Sequence, residues 1–273
     1  MTKFVETLVS DLVGSDVKLS DHVGVEIELE HENVPEDLPV EVARYWRVET
    51  DGSLRKNGLE YVFKRPQEAS KANTAVKLLG RHVDLTNKVV DAGRAGIHVH
   101  INVGDLTVCQ LMNFIAICHI LEDLLVHWCG PRRIGNLFCL RVKDAEYVID
   151  LIKEMLRKED LRILHTDNIR YSSINLKAIY QYGSVEFRAM RSDGDWAAVN
   201  VWVNALLRLK EMARRLDNPA QIVSDMSNAG PSMYIDQLLG PYARYFKKYD
   251  GFDVDIFNAV RRVQEYAFTK DWG

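Results

Sequence analysis

Apolar and polar residues alternate strictly in several short segments of the first 190 residues. In the first segment, Val25 and Ile27 fall on one side, and Glu26 and Glu28 fall on the other. Successive side chains of a strand point to opposite faces, so each alternating segment is predicted to be a strand with one apolar face. The predicted strands of this type are residues 22–30, 59–64, 97–103 and 184–190, and residues 169–176 are predicted to form a further strand.

Helical spacing of apolar residues governs most of the remaining chain. Pro66 is predicted to lie in the first turn of a helix that runs to about Asn87. Thr107 and Gln110 have the spacing of a capping box, which predicts the start of an apolar helix ending near Gly130. Further helices are predicted over residues 144–159, 195–217 and 253–268, with short helices and turns over 218–251.

The order of these elements predicts the fold class. Asp195 is the expected N-cap of its helix, and Asn218-Pro219 is the expected stop. Strands and long helices follow one another without regular βα alternation, which favours an α+β fold with an antiparallel sheet. We expect a single domain over residues 1–273, with a core at about 22–191 and a helical part at about 195–273.

Composition limits the classes of binding partner and the cellular compartment that we expect for this protein. The chain has 35 basic and 39 acidic residues, a net charge of −4, so nucleic acid is not an expected partner. The longest apolar stretch, around Leu111–Val126, is interrupted by polar residues and is read as a buried helix, since a membrane span needs about 20 apolar residues. No signal peptide is recognised, and the four cysteines form no CxxC pair. A cytoplasmic protein of a bacterium or a virus-infected cell is expected.

Ionisable side chains occupy the polar face of the predicted strands. Glu26, Glu28 and Glu30 would stand about 7 Å apart along one strand, where like charges repel. Burying carboxylates without partners is costly, and divalent cations such as Mg²⁺ or Mn²⁺ would compensate them. If the strands are neighbours, the remaining ligands could come from four further residues: Glu60, His98, His100 and Glu186.

Each of these features has a simpler explanation when taken alone. Alternating glutamates are usual on a solvated sheet face, and Glu186 with Arg188 could be a surface ion pair. Asp51-Gly52-Ser53 is typical of a hairpin turn. The combination is more specific, because four strands carry acids or histidines where Lys, Thr, Ser and Gln are the usual solvated residues.

The motifs together resemble the amidoligases, which are carboxylate–amine ligases related to glutamine synthetase and glutamate–cysteine ligase. The resemblance covers about residues 22–191. It rests on Gly24-Val25-Glu26-Ile27-Glu28, Asp51-Gly52-Ser53, Gly58-Leu59-Glu60-Tyr61-Val62, His98-Val99-His100-Ile101-Asn102, Asn175 and Glu186-Phe187-Arg188, in family order.

The resemblance implies a fold, two kinds of cofactor and a set of site residues. The fold would be that of the glutamine synthetase catalytic domain, a curved antiparallel sheet flanked by helices that holds ATP and two or three Mg²⁺ or Mn²⁺ ions. The implied metal ligands are Glu26, Glu28, Glu60, His98 and Glu186. The implied nucleotide contacts are Arg188, which would clamp the transferred phosphoryl group, with Asn175, Asn102 and Arg191.

The implied reaction joins a small-molecule or peptide carboxylate to an amine. ATP would convert the carboxylate into an acyl phosphate, which the amine attacks. The proton acceptor stays open among Glu30, Asp51 and His100, and a contact from Arg191 to a substrate carboxylate is a further expectation.

Three other functions are weighed against this one. A guanidino-kinase-like phosphotransferase of the same fold would stop at a phosphorylated acceptor, and a metal-dependent hydrolase would need no ATP. A non-catalytic binding module could retain the fold, although the intact acid and histidine motifs argue against decay. No HExxH, GxxxxGK[ST] or GxGxxG motif occurs in the sequence.

Overall fold

The structure is a computed structural model that describes residues 3–15, 19–33, 36–55, 57–86, 88–90 and 92–272. Within these ranges, one sheet contains the strands β1 (His22–His31), β2 (Trp46–Glu49), β3 (Gly58–Phe63), β4 (Gln67–Glu68), β5 (Val89–Val90), β6 (Gly96–Asn102), β7 (Ile174–Asn175) and β8 (Ser184–Arg191). The helices are α1 (Val9–Val13), α2 (Val40–Ala43), α3 (Ala69–Thr86), α4 (Val108–Trp128), α5 (Tyr147–Lys158), α6 (Ala178–Tyr182), α7 (Trp196–Ala213), α8 (Pro219–Ala229), α9 (Pro231–Leu239) and α10 (Phe252–Ala267).

The sheet is antiparallel, with strand order β2-β3-β1-β6-β8-β7. The short strands β4 and β5 pair with the two ends of β1. In the centre, Glu26 of β1 lies opposite Val62 of β3 and His98 of β6. The three strands that carry the first motifs are therefore direct neighbours.

The apolar face of the sheet packs against helices. Val25, Ile27 and Val99 are completely buried in one continuous core with residues of α3, α4 and α7. Phe187 of β8 makes edge contacts with Phe114 of α4 and with a tryptophan of α7. The curved antiparallel sheet flanked by helices confirms the predicted α+β class.

Helix α4 forms the centre of the helical layer. Among the described residues, it is the one helix long and apolar enough to cross a membrane, but 89% of its most apolar window is buried inside the protein. The predicted capping box is confirmed, because the Thr107 side chain accepts from the backbone N–H of Gln110 and the Gln110 side chain accepts from that of Thr107. The apolar stretch is therefore a core helix with a defined start.

Three local predictions change in the structure, and one strand was missed. Only Ile174–Asn175 of the predicted strand 169–176 is extended, because a 3₁₀ turn capped by Thr166 precedes it. Pro66 does not begin α3, since β4 first pairs with β1. Asn218 caps the start of α8 through the N–H of Gln221, so Asn218-Pro219 starts a helix after α7 has already ended. Strand β2 was not predicted.

Candidate functional site

The register of the strands gathers the acids and histidines on the face opposite the helices. Glu28 lies opposite Glu60 in the β1–β3 pair, and His100 lies opposite Glu186 in the β6–β8 pair. The antiparallel order therefore confirms that the strands are neighbours. We call the resulting group the carboxylate–histidine cluster: Glu26, Glu28, Glu60, His98, His100 and Glu186.

Glu26 lies at the centre of this cluster. Its Oε2 is 3.3 Å from Nδ1 of His98, and its Oε1 is 3.6 Å from Nε2 of His100. Among the residues that the structure describes, two groups of side chains offer ligand atoms that lie within 4.8 Å of one another. The first is Glu26, Glu60 and His98, and the second is Glu26, His100 and Glu186. Glu26 belongs to both groups, so one carboxylate could bridge two neighbouring cations.

Glu28 lies beside these two groups. Its Oε2 accepts a 2.7 Å hydrogen bond from the backbone N–H of Gly96, and its Oε1 is 3.7 Å from Nε2 of His98. The backbone amide at the start of β6 thus orients the Glu28 carboxylate towards the His98 imidazole.

Excess negative charge is concentrated around Glu60. Burial, together with the charges of Glu26 and Glu28, raises the pKa of Glu60 to about 7, and Asp51 and Glu49 add to this effect. Burial by itself would raise the pKa of Glu26. The hydrogen bonds from His100 and His98 outweigh burial and hold that pKa well below its usual range. Carboxylates that repel one another in a half-buried hollow form an environment in which cations are favoured.

Glu186 is held by two further predicted residues. The Asn175 side chain donates a 2.6 Å hydrogen bond to Oε2 of Glu186 from the neighbouring strand. The Arg188 guanidinium donates to Oε1 of Glu186, and its Nε donates to the Phe138 carbonyl at 3.3 Å. Arg188 is therefore held at the edge of the cluster.

A β-bulge sets the position of Arg188. Between the pairs Ile97–Met190 and Val99–Phe187, one residue of β6, His98, faces two residues of β8, Arg188 and Ala189. The buried Arg133 donates to the carbonyls of both of these β8 residues. The bulge and the hydrogen bonds from Arg133 therefore fix the backbone at Arg188, whose side chain pairs with Glu186 of the cluster.

A pocket of about 190 Å³ adjoins the cluster, lined in part by Glu26 and His100. Gly24 forms part of its wall, and a Cβ at this position would lie 3.2 Å from the Cβ of His100. Asn102, whose Oδ1 accepts from the backbone N–H of Gly104, lines the pocket with Tyr182. The predicted nucleotide contact Asn102 therefore lies on a cavity that opens at the cluster.

Three other predicted site residues have local roles outside the cluster. The Glu30 carboxylate accepts from the Arg55 backbone N–H at 3.1 Å, and that of Asp51 accepts from Ser53 at 2.7 Å, which confirms the expected turn. Arg191 pairs with Asp193 and Asp195 and donates to the Trp128 carbonyl. It lies at the end of β8 remote from Asn102, where it lines a second pocket.

Several residues near the site were not foreseen from the sequence. Glu49 lies opposite Glu60, but its strand was not recognised. Ser184 Oγ is 3.1 Å from Nδ1 of His100. Nothing in the local sequence pattern marks Arg133 as buried. Gly24, in contrast, interrupts an alternating strand, and such a glycine is a sequence signal that another group, here His100, lies close to the backbone.

Comparison with known proteins agrees with this geometry. A family model described as "putative amidoligase enzyme" matches residues 18–210, which include the whole carboxylate–histidine cluster. The chain belongs to this family. A search of curated proteins finds no match. The predicted relationship is thus confirmed, and a ligase-type enzyme is supported for this amidoligase at the level of the family.

Proposed function

We propose that this amidoligase is an ATP-dependent carboxylate–amine ligase with a glutamine synthetase-like catalytic sheet. The observation that supports this most is the pair of ligand groups that share Glu26, with Arg188 paired to Glu186 at their edge. Carboxylates, imidazoles and an arginine meeting in one hollow are the side chains that phosphoryl transfer requires.

The donor atoms of the cluster suit Mg²⁺ or Mn²⁺. Carboxylate oxygens are the preferred ligands of both ions, and imidazole nitrogen is well tolerated by Mn²⁺. The raised pKa of Glu60, caused by burial and by the charges of Glu26 and Glu28, supports the presence of a compensating cation. Two ions, one for each ligand group, would neutralise phosphate oxygens and polarise the transferred group when bound.

The proposed reaction has two steps. A carboxylate oxygen of the substrate attacks the γ-phosphorus of ATP, the bond between that phosphorus and the bridging β–γ oxygen breaks, and ADP leaves. The amine nitrogen then attacks the acyl carbon, the carbon–oxygen bond to phosphate breaks, and the amine loses a proton. Arg188, held by Glu186 and Phe138, would bind the transferred phosphoryl group in both steps.

The nucleotide is proposed to enter from the pocket beside Gly24. This pocket borders Glu26 and His100, and it combines apolar walls such as Val62 with the polar side chain of Asn102. Such a lining is usual for a cofactor site, because apolar walls supply area and a few polar groups fix orientation. The cytoplasm, which supplies ATP, is the proposed compartment.

Glu26→Gln and Glu186→Gln test the proposal. Both variants should abolish Mg²⁺- or Mn²⁺-dependent ADP formation and retain the circular dichroism spectrum of the wild type. The assay crosses a panel of carboxylates with amines and identifies products by mass spectrometry. Glu154→Gln, on the exposed side of α5, is the control and should be fully active.

Each outcome of this assay distinguishes between functions. An amide with equimolar ADP and phosphate supports the ligase. A stable phosphorylated acceptor indicates the guanidino-kinase-like alternative. No nucleotide turnover in the wild type, or unchanged turnover in both variants, would contradict the proposed function.

A further inference from the structure

Arg188 is held by two segments of the chain that lie outside β8. The first is residues 138–142, in which the Phe138 carbonyl accepts a hydrogen bond from Nε of Arg188 at 3.3 Å. The second is residues 171–173, which lead into β7, and here the Ser173 carbonyl accepts from the backbone N–H of Arg188 at 2.8 Å. We call these the two supporting segments. One fixes the side chain of Arg188, and the other fixes its backbone.

The two supporting segments are joined to each other. The N–H of Leu140 donates to the Tyr171 carbonyl at 2.8 Å, and the N–H of Ser173 donates to the Leu140 carbonyl at 2.7 Å. Leu140 and Ser172 thereby form a parallel bridge, which adds a short ladder beside β7. A displacement of either segment would therefore displace the other, and with it the backbone partner of Arg188.

Glu122 of α4 connects both supporting segments to the core. The residue is 3% exposed. Its Oε2 accepts a 2.7 Å hydrogen bond from the N–H of Val142 in the first segment, and its Oε1 accepts one from Oγ of Ser173 in the second. Within the described part of the chain, no cation forms an ion pair with this carboxylate. Burying a carboxylate is costly unless it is hydrogen-bonded, so burial of Glu122 favours the arrangement in which both segments are in place.

We propose that Glu122 is a positioning residue, which acts through Ser173 and Val142 to hold Arg188 in the orientation that phosphoryl transfer requires. The inference rests on the proposed ligase function and deepens it, because Arg188 is the residue proposed to bind the transferred phosphoryl group. Glu122 belongs to α4, which packs against the apolar face of the sheet, so it acts through other residues and not by contact with a substrate. A small misplacement of a group that acts on the reacting atoms can cost a large part of the rate.

Ser173→Ala tests the inference, because it deletes the hydroxyl that bonds Glu122 but keeps the carbonyl that bonds Arg188. We expect kcat for ADP formation to fall about tenfold and the KM for ATP to stay within about twofold of the wild type, since a misplaced phosphoryl-binding group slows chemistry more than nucleotide binding. Ser172→Ala removes a neighbouring buried hydroxyl that does not bond Glu122, and it is the matched control. Equal kinetics of the two variants would overturn the inference.

Substitutions in α4 separate positioning from stability. Glu122→Gln keeps an oxygen that can accept from Val142 and gains an amide that can donate to Oγ of Ser173, so it should retain most of kcat. Glu122→Ala removes both contacts and should lower kcat at least as much as Ser173→Ala does. Asn113→Ala also removes two hydrogen bonds of a buried α4 side chain, those to carbonyls at and beyond the end of α7, and should lower the melting temperature without changing kcat. If Glu122→Ala does not fold, the comparison of Ser173→Ala with Ser172→Ala decides the matter.

A measurement that does not depend on turnover completes the test. Amide hydrogen exchange followed by NMR should show the backbone N–H of Arg188 exchanging about tenfold faster in Ser173→Ala than in the wild type, because its hydrogen-bond acceptor is then less firmly held. The N–H of Gln110 at the start of α4 is the internal control and should be unchanged. Exchange of the Arg188 N–H at the wild-type rate in Ser173→Ala would overturn the inference alone. Absence of nucleotide turnover in the wild type would instead overturn the proposed function.

Discussion

The side chain of Asn175 donates a 2.6 Å hydrogen bond to Oε2 of Glu186 across the β7–β8 pair. The bond leaves Oε1 directed towards His98, whose Nδ1 is 3.6 Å away. A neutral amide therefore orients a carboxylate that the proposed function makes a cation ligand.

Replacing Asn175 should weaken cation activation. Asn175→Ala removes the hydrogen bond to Glu186, and loss of such a supporting contact typically costs about 10- to 100-fold in metal affinity or activity. We therefore expect the Mg²⁺ concentration for half-maximal ADP formation to rise by about 10- to 100-fold. Asn258→Ala on α10 is the control, and an unchanged Mg²⁺ response in Asn175→Ala would contradict the assigned role.

Adding one methyl group at Gly24 should impair the site. In Gly24→Ala, the new Cβ would lie 3.2 Å from the Cβ of His100, so the imidazole must shift from Glu26. We expect at least a tenfold loss of ADP formation and a smaller effect on the melting temperature. Gly52→Ala is the matched control, because a Cβ there would meet no described residue within 4 Å other than its two chain neighbours. Equal activity of the two variants would show that His100 tolerates the shift.

The buried Glu122 should make stability depend on pH. Burial raises the pKa of Glu122 to about 7, although the hydrogen bonds from Ser173 and the Val142 amide favour its ionised form. A carboxyl whose pKa is higher in the folded than in the unfolded state is most stabilising when protonated. Its contribution is complete below the unfolded pKa, near 4.5, and is lost as the pH rises to about 7.

Glu122→Gln should remove this component. Measured by urea unfolding between pH 4.5 and 8, the wild type should lose up to about 3 kcal/mol more of its unfolding free energy than the variant does. Parallel pH profiles of the two proteins would show that Glu122 ionises in the folded state as it does in the unfolded chain.

Removing the N-cap of the central helix should destabilise the fold. Thr107→Ala deletes the acceptor for the Gln110 amide and should lower the unfolding free energy by about 1 kcal/mol. Thr74→Ala, an exposed hydroxyl within α3 that bonds the Ser70 carbonyl, should change it by less than about 0.5 kcal/mol. Chemical denaturation measures both, and equal values for the pair would argue against the cap.

The sequence pattern was informative where burial forces a strict period. Alternation placed β1, β3, β6 and β8 correctly, and the face that carries Glu26 and Glu28 followed from it. It missed β2, since three of its four residues are exposed and its pairing with β3 depends on a neighbour rather than on its own pattern.

Site residues divide in the same way. Glu26, His98 and Glu186 could be found from the sequence, because strand periodicity puts them on one face. Glu30 and Arg191 have the same types of side chain, yet each is held by partners at a strand end, outside the two ligand groups that share Glu26. Spacing along the chain does not show which end of a strand faces the centre of a site.

Local order and the polar face of each strand were thus determined by the amino-acid sequence alone, because period and capping act over a few residues. Only the tertiary structure decided that Glu26 is shared by two ligand groups, that a bulge presents Arg188, and that Arg133 is buried beside a second pocket. These features depend on strand order and register, which arise from contacts between residues that are distant in the chain.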